Sequence, residues 1–349
     1  MNRRFHVRAF IILSIAIVLA FIVVPMDRQA AAQQYTIKFA TIATEGTTWI
    51  NQMRAYDAAL RKESGGRLGF KIYAGGVQGE DKDVMRKIRL GQLQSAGITG
   101  VGVGEISGKL RILDAPFLFE NYDEVDYLHK VFDPEFDQAF RENNFVLLGW
   151  AEVGFVYVFT NTPVKAVSDM KGVKMWMWEG DPIAEASFKA LGINAIPLSV
   201  ADVLTSLQTG LIDGAYTSPL AAIALQWNTR VKYMTGVPLA DASGAVVIAK
   251  KMFDTLPADL QEILLRNGKK YMSELTKKSR EENSAAIQTM KKGGMQVIEV
   301  TSPMTLQGFT AAGKKARGLL VGRLYDQKFL DRVENTVADY RKAHAGGSK

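Results

Sequence analysis

The chain has 349 residues, 47% of them hydrophobic and 23% charged, which suits a soluble globular protein of two ordinary domains and excludes a largely disordered one. The formal charge is +7 and there is no cysteine, so disulfides, thiolate nucleophiles and thiolate metal sites are all excluded. Lysine and arginine are scattered along the chain, without the basic stripe that a nucleic-acid partner needs.

The first segment, M-N-R-R-F-H-V-R, carries three arginines and no acid, and an almost wholly apolar run follows it. Small residues at Ala30 and Ala32 complete the order of a secretory signal peptide over residues 1–32, with cleavage expected after Ala32. The alternative is an uncleaved anchor, for which the apolar run is a little short. Without this segment, whose net charge is +3, the chain carries +4. The expected location is therefore the periplasm.

Alternation in Tyr35–Ile42 predicts a first strand. Thr47 or Thr48 is expected to cap a helix whose apolar positions include Trp49, Ile50, Met53, Tyr56 and Leu60. L-G-F-K-I-Y-A is a second strand, D-K-D-V-M-R-K-I-R-L-G a short helix ending at Gly91, and Q-S-A-G-I-T-G-V a buried strand. This βαβαβ opening argues for an α/β fold. A long loop region containing Asp114–Tyr122 follows, then helices around Tyr122–Asn143, and strands at Phe145–Ala151, Gly154–Asn161 and K-G-V-K-M-W-M-W. Further on come a helix over Asp181–Leu191, a strand at Asn194–Leu198, a helix from Ser199 ending at Gly210, and strands at L-I-D-G-A-Y and Ala245–Lys250. A long helix reaching about Lys292, the strand M-Q-V-I-E-V and a C-terminal helix close the chain. No low-complexity linker separates two halves, so the chain is expected to cross between lobes through strands.

Chemistry-bearing motifs fail on spacing. With Gly108-Lys109 as the Gly-Lys pair of a P-loop, Val103 stands where the first Gly belongs and Leu110 where Ser or Thr does. The dinucleotide fingerprint fails too, because Glu105 takes the place of its third Gly; Gly100–Lys109 reads as a tight turn after a strand. Beyond residue 32 only His129 and His344 remain, which argues against a histidine triad or a histidine-rich zinc site. No cofactor, metal or catalytic residue is expected, and a binding protein is favoured over an enzyme.

Six stretches, in order, carry a resemblance: S-G-G-R (Ser64–Arg67), A-P-F-L-F (Ala115–Phe119), V-S-D-M-K-G-V-K-M (Val167–Met175), A-L-G-I-N-A-I-P-L (Ala190–Leu198), S-L-Q-T-G-L-I-D-G-A (Ser206–Ala215) and F-D-T-L-P-A-D-L-Q (Phe253–Gln261). Over residues 35–340 the chain resembles the solute-binding subunit of a TRAP (tripartite ATP-independent periplasmic) transporter, of the DctP type. The resemblance implies an α/β periplasmic-binding-protein-like fold of two lobes closing over a ligand, with a long helix spanning both. It also implies delivery of the ligand to membrane permease subunits driven by an ion gradient. The expected division is 35–155 plus about 242–275 for lobe I and 156–241 plus about 276–345 for lobe II.

One departure bears on the ligand. Members usually carry a carboxylate-clamping arginine where this chain has Trp176, and Val156 and Thr217 stand at two further polar positions of the family. A buried carboxylate without a cation is costly, so a simple C4-dicarboxylate is not the expected ligand. The ligand-binding residues implied are Trp176, Trp178, Glu152, Trp150, Tyr216 and Thr217 from one side, with Thr44, Glu45, Asp81 and Thr99 from the other lobe. Trp178 reads equally as core, and Trp227, in the helical stretch A-L-Q-W-N-T-R, reads better as core than as site. Three ligand classes stay open: a neutral or aromatic molecule, a cation with Glu152 as counter-ion, and a carboxylate held by Lys174 or backbone N–H groups. Two other roles also stay open, a receptor serving a signalling partner and a secreted enzyme using cleft carboxylates.

Overall fold

The computed structural model describes residues 35–344. The signal segment and the five residues after His344 lie outside the described residues. The strands are β1 (Tyr35–Thr41), β2 (Leu68–Tyr73), β3 (Ser95–Thr99), β4 (Phe145–Trp150), β5 (Gly154–Thr160), β6 (Trp176–Trp178), β7 (Ile196–Leu198), β8 (Gly214–Thr217), β9 (Tyr233–Thr235), β10 (Ala240–Ala242), β11 (Gly244–Ala249) and β12 (Gln296–Ile298). The helices are α1 (Thr48–Glu63), α2 (Asp81–Arg89), α3 (Gly100–Ile106), α4 (Tyr122–Glu142), α5 (Pro182–Leu191), α6 (Val203–Thr209), α7 (Pro219–Ala224), α8 (Lys250–Phe253), α9 (Ala258–Lys292), α10 (Pro303–Leu319) and α11 (Gln327–His344).

Two sheets form two lobes. The first has the order β2-β1-β3-β11-β4 and the second β10-β5-β9-β12, with β8 also on β5. In the first, β1 runs parallel to β2 and β3, and β11 is inserted antiparallel between β3 and β4. Its register is set by a fully apolar β11, buried on both faces, as a central strand requires.

Two of the crossings between lobes run through strands, from β4 to β5 and from β10 to β11. The crossings hold each other: Ala151 N–H donates to Gly244 O at 2.7 Å and Val153 N–H to Ala242 O at 2.9 Å. Glycine is required there, because a Cβ on Gly244 would lie 2.3 Å from Ala151 O. The 35 residues of α9 span about 50 Å beneath both lobes. They pack on α1 and β4 of one lobe and on α7 and β5 of the other. Asn283 on this helix donates to Val153 O and accepts from Leu220 N–H, tying the crossing to the second lobe.

Four expectations change. Gly100–Lys109 is not a turn: Gly100–Ile106 is α3, capped by Thr99, whose hydroxyl accepts from Val101 N–H. Its glycines permit close packing, since a Cβ on Gly100 would sit 1.8 Å from Asp114 Oδ2. The C-terminal helix is two, α10 and α11, and α11 lies against α4 in the first lobe. The K-G-V-K-M-W-M-W strand shortens to three residues, and the short β9, β10 and α7 carry too little periodicity to be read.

Candidate functional site

A cavity of about 230 Å³ lies between the lobes, at the small end for an organic ligand. Strand β6 pairs in parallel with β7, so Trp176 and Trp178 share a face while Met177 turns into the core behind. Both indoles line the cavity, as do Tyr216 and Thr217 of β8 and Thr99 at the start of α3.

The aromatics form one wall. Trp176 stacks on Tyr216 at 4.8 Å and meets Trp227 edge-on at 5.2 Å, with the Trp178 ring 6.1 Å away. The N–H donors of Trp176 and Trp178 are already used. Trp176 Nε1–H donates to Leu198 O at 3.0 Å, and Trp178 Nε1–H donates to Glu80 Oε2 at 3.0 Å across the lobes. The Tyr216 hydroxyl accepts from Trp178 N–H, and burial raises its pKa above the usual phenol value. Trp227, open between core and site in the sequence, is both: it is buried in the second-lobe core and lines the cavity. What these rings present to the cavity is apolar surface.

The opposite side is polar. Arg111, on a 3₁₀ turn at Gly108–Asp114, places Nε 2.7 Å from Asp114 Oδ2 and Nη1 3.0 Å from Asp181 Oδ1. Burial works against the guanidinium charge, but Asp181 and Asp114 outweigh it and raise the Arg111 pKa. Asp114 Oδ1 accepts from Ser243 N–H at 2.7 Å, and burial still raises its pKa from the ordinary aspartate value despite Arg111. Asp181 also caps α5, accepting from Ile183 N–H. Asp241 completes the set: burial, then Glu152 and Asp114, push its pKa well above that of an ordinary aspartate.

These residues were not foreseen. Arg111 and Asp114 stand at a spacing of three inside the apolar run L-R-I-L-D-A-P, and Asp241 stands in β10 three residues before the apolar β11. A charge placed inside an apolar run was the available signal. Phe117, in the same loop, lines the cavity with φ 52, a left-handed conformation costly for a phenylalanine and held by its N–H bond to Leu239 O.

Six expected residues lie elsewhere. Trp150 packs its ring on His129, Phe136 and Phe140 of α4 and donates to Asp133, on the side of β4 away from the cavity. Glu152 is held bidentately by Arg280 at 2.6 and 2.9 Å, so it cannot serve as the free counter-ion expected of it. Thr44 and Glu45 are exposed, and Glu45 pairs with Arg54. Asp81 is buried behind the site, accepting from Thr99 N–H, the Thr99 hydroxyl and Gly102 N–H, and so fixes Thr99 without reaching the cavity. Lys174, the expected carboxylate donor, is half exposed and bonds Gly210 O beside Asp213. Among the described residues no group of three or more His, Asp or Glu side chains is placed to hold a metal ion, and no helix is long and apolar enough to cross a membrane.

The lobes are closed on each other. Besides the Arg111–Asp181 pair, Glu80 accepts from Trp178 Nε1–H and from Val200 N–H at 2.9 Å, and Lys82 Nζ donates to Gly180 O at 3.0 Å.

Residues 39–317 match the model of DctP, bacterial extracellular solute-binding protein, family 7. The C4-dicarboxylate-binding periplasmic protein DctP of Rhodobacter capsulatus is 26% identical over 274 residues, which span 76% of this chain and 80% of that protein. The 2,3-diketo-L-gulonate-binding periplasmic protein YiaO of Escherichia coli is 26% identical over 279 residues, 77% and 81% of the two chains. A solved TRAP periplasmic solute-binding protein from Ochrobactrum anthropi, with its C-terminus bound in its ligand pocket, superposes with a TM-score of 0.79 at 25% identity. The superposition covers 89% of this chain and 97% of that one. One from Sulfitobacter with bound β-D-galacturonate shares the fold, with a TM-score of 0.78 at 21% identity over 87% and 100%.

Proposed function

The chain belongs to the DctP family of bacterial extracellular solute-binding proteins, periplasmic receptors of TRAP transporters rather than enzymes, and from that premise we propose that its ligand is a small, largely apolar or aromatic molecule without a free carboxylate. The observation that carries this reading is the cavity wall. Trp176 and Trp178 offer ring faces whose N–H donors are spent, Tyr216 adds a third ring, and the one arginine among the described lining residues is already matched by two carboxylates. A ligand carboxylate would enter beside Asp114, Asp181 and Asp241 with no free cation to meet it, at a cost of several kcal/mol. By the family resemblance, Trp176 stands at the arginine that other members use as the clamp. On this reading the exported protein, its signal peptide removed, presents the closed, loaded form to its permease subunits.

A second reading has one observation in its favour. Arg111 lines the cavity, and the similar proteins named for a C4-dicarboxylate and a diketogulonate bind acids. A ligand carboxylate that displaced Asp181 from Arg111 would be held bidentately. Calorimetric titration with succinate and D-galacturonate separates the two. No saturable heat is expected, and micromolar binding of either acid overturns the proposal.

A further inference from the structure

Asp241 and Ser243 lie two residues apart where β10 gives way to the crossing into β11, and both line the cavity. Alternate positions of an extended chain share a face. Asp241 is 2% exposed and Ser243 4%. Asp241 Oδ1 has no hydrogen-bond partner among the described residues, and the Ser243 hydroxyl lies beside the Asp114 carboxylate without a bond of good distance and angle, although their neighbours are fully engaged. Asp114 is held by Arg111 and Ser243 N–H, Asp181 by Arg111 and Ile183 N–H. Buried polar atoms in folded proteins are nearly always bonded, and a buried carboxyl left without a partner costs more than any other group here.

The charge count points to what fits. One arginine faces three aspartates, so the polar side of the cavity carries an excess of carboxyl groups over cations. An anion would add to the excess. A neutral apolar group would bury Asp241 without satisfying it. An ammonium supplies up to three donors and one positive charge, and Asp241 Oδ1 with Ser243 Oγ supplies two of the acceptors it needs.

We propose that Asp241 and Ser243 form a subsite for a protonated primary or secondary amine, so that the ligand class is an amine carried on an apolar or aromatic body. This rests on the reading that the ligand has no free carboxylate. Asp241 takes the counter-ion role for which Glu152, committed to Arg280, is not available. Ser243 orients the ammonium beside it.

The test uses three probes of one shape: 2-phenylethylamine, 2-phenylethanol and 3-phenylpropionate, titrated into the mature chain with tryptophan fluorescence as readout. The amine is expected to bind at least about tenfold more tightly than the alcohol. Asp241→Asn, close to isosteric, is expected to abolish that preference and leave alcohol binding within about threefold. Ser243→Ala is expected to reduce the preference by a smaller factor. An amine that fails to bind, or binds no more tightly than the alcohol, overturns the amine subsite and leaves the apolar-ligand reading standing. An amine preference that survives in Asp241→Asn also overturns it. Tighter binding of the acid than of the other two overturns both.

Discussion

Trp176 serves two structures at once, since its ring is part of the second-lobe core and also a wall of the cavity. Its replacement therefore has two expected effects. Trp176→Phe keeps much of the packing but removes the Nε1–H bond to Leu198 O, and should cost about 1–2 kcal/mol of stability with ligand affinity falling severalfold. Denaturant melts beside ligand titration separate the two. Asp81 offers a pH test at the same scale. Burial raises its pKa to about 6 from 3.8, although three hydrogen bonds from Thr99 and Gly102 oppose the shift. Between pH 4 and 6 the folded chain keeps a proton that the unfolded chain has lost, so this group makes stability fall as pH rises through that window. The fall is roughly 3 kcal/mol and levels off above the folded pKa. Asp81→Asn should remove that fall, so the gap between variant and parent stability changes between pH 4 and 6 and is constant above. A parallel pair of pH–stability curves would rule this out.

At the level of elements, closure depends on the tip of α2 meeting β6 and β7. Glu80, just before α2, accepts one bond from Trp178 and one from Val200 of the other lobe. Glu80→Ala should lose both, worth about 1–3 kcal/mol together, and shift the ligand-free protein toward an open form. Small-angle scattering should show a larger radius of gyration for the variant without ligand, with affinity reduced in proportion to the closed fraction lost. The order of elements was legible in the sequence because alternation in β1 and β2, the apolar run of β4 and the apolar face of α1 are strong local patterns. α3 was not, because glycine at 100, 102 and 104 reads as a turn until the packing against Asp114 and Asp81 is seen. The aromatic wall was legible because Trp176 and Trp178 share a face of one short segment. The polar side was not, because Arg111, Asp181 and Asp241 are far apart in sequence and only the closed fold brings them to one cavity.

For the whole molecule, the two paired crossings with α9 beneath them form a connection between the sheets that does not depend on closure. Gly244 is the tightest point of it. Gly244→Ala should cost roughly 1–3 kcal/mol and reduce ligand affinity as well, because a Cβ there presses Ala151 and moves the Ser243–Asp114 bond beside it. A thermal melt with and without ligand checks both effects. The central claim is that a receptor of this family uses an aromatic cavity with an unmatched acid in place of an arginine clamp. Native mass spectrometry of the exported protein, purified without refolding, followed by release and identification of what it carries, tests that claim most directly. A neutral or amine-bearing aromatic molecule is the expected result. A dicarboxylate, a uronate or another free acid would contradict it and assign the ligand to Arg111.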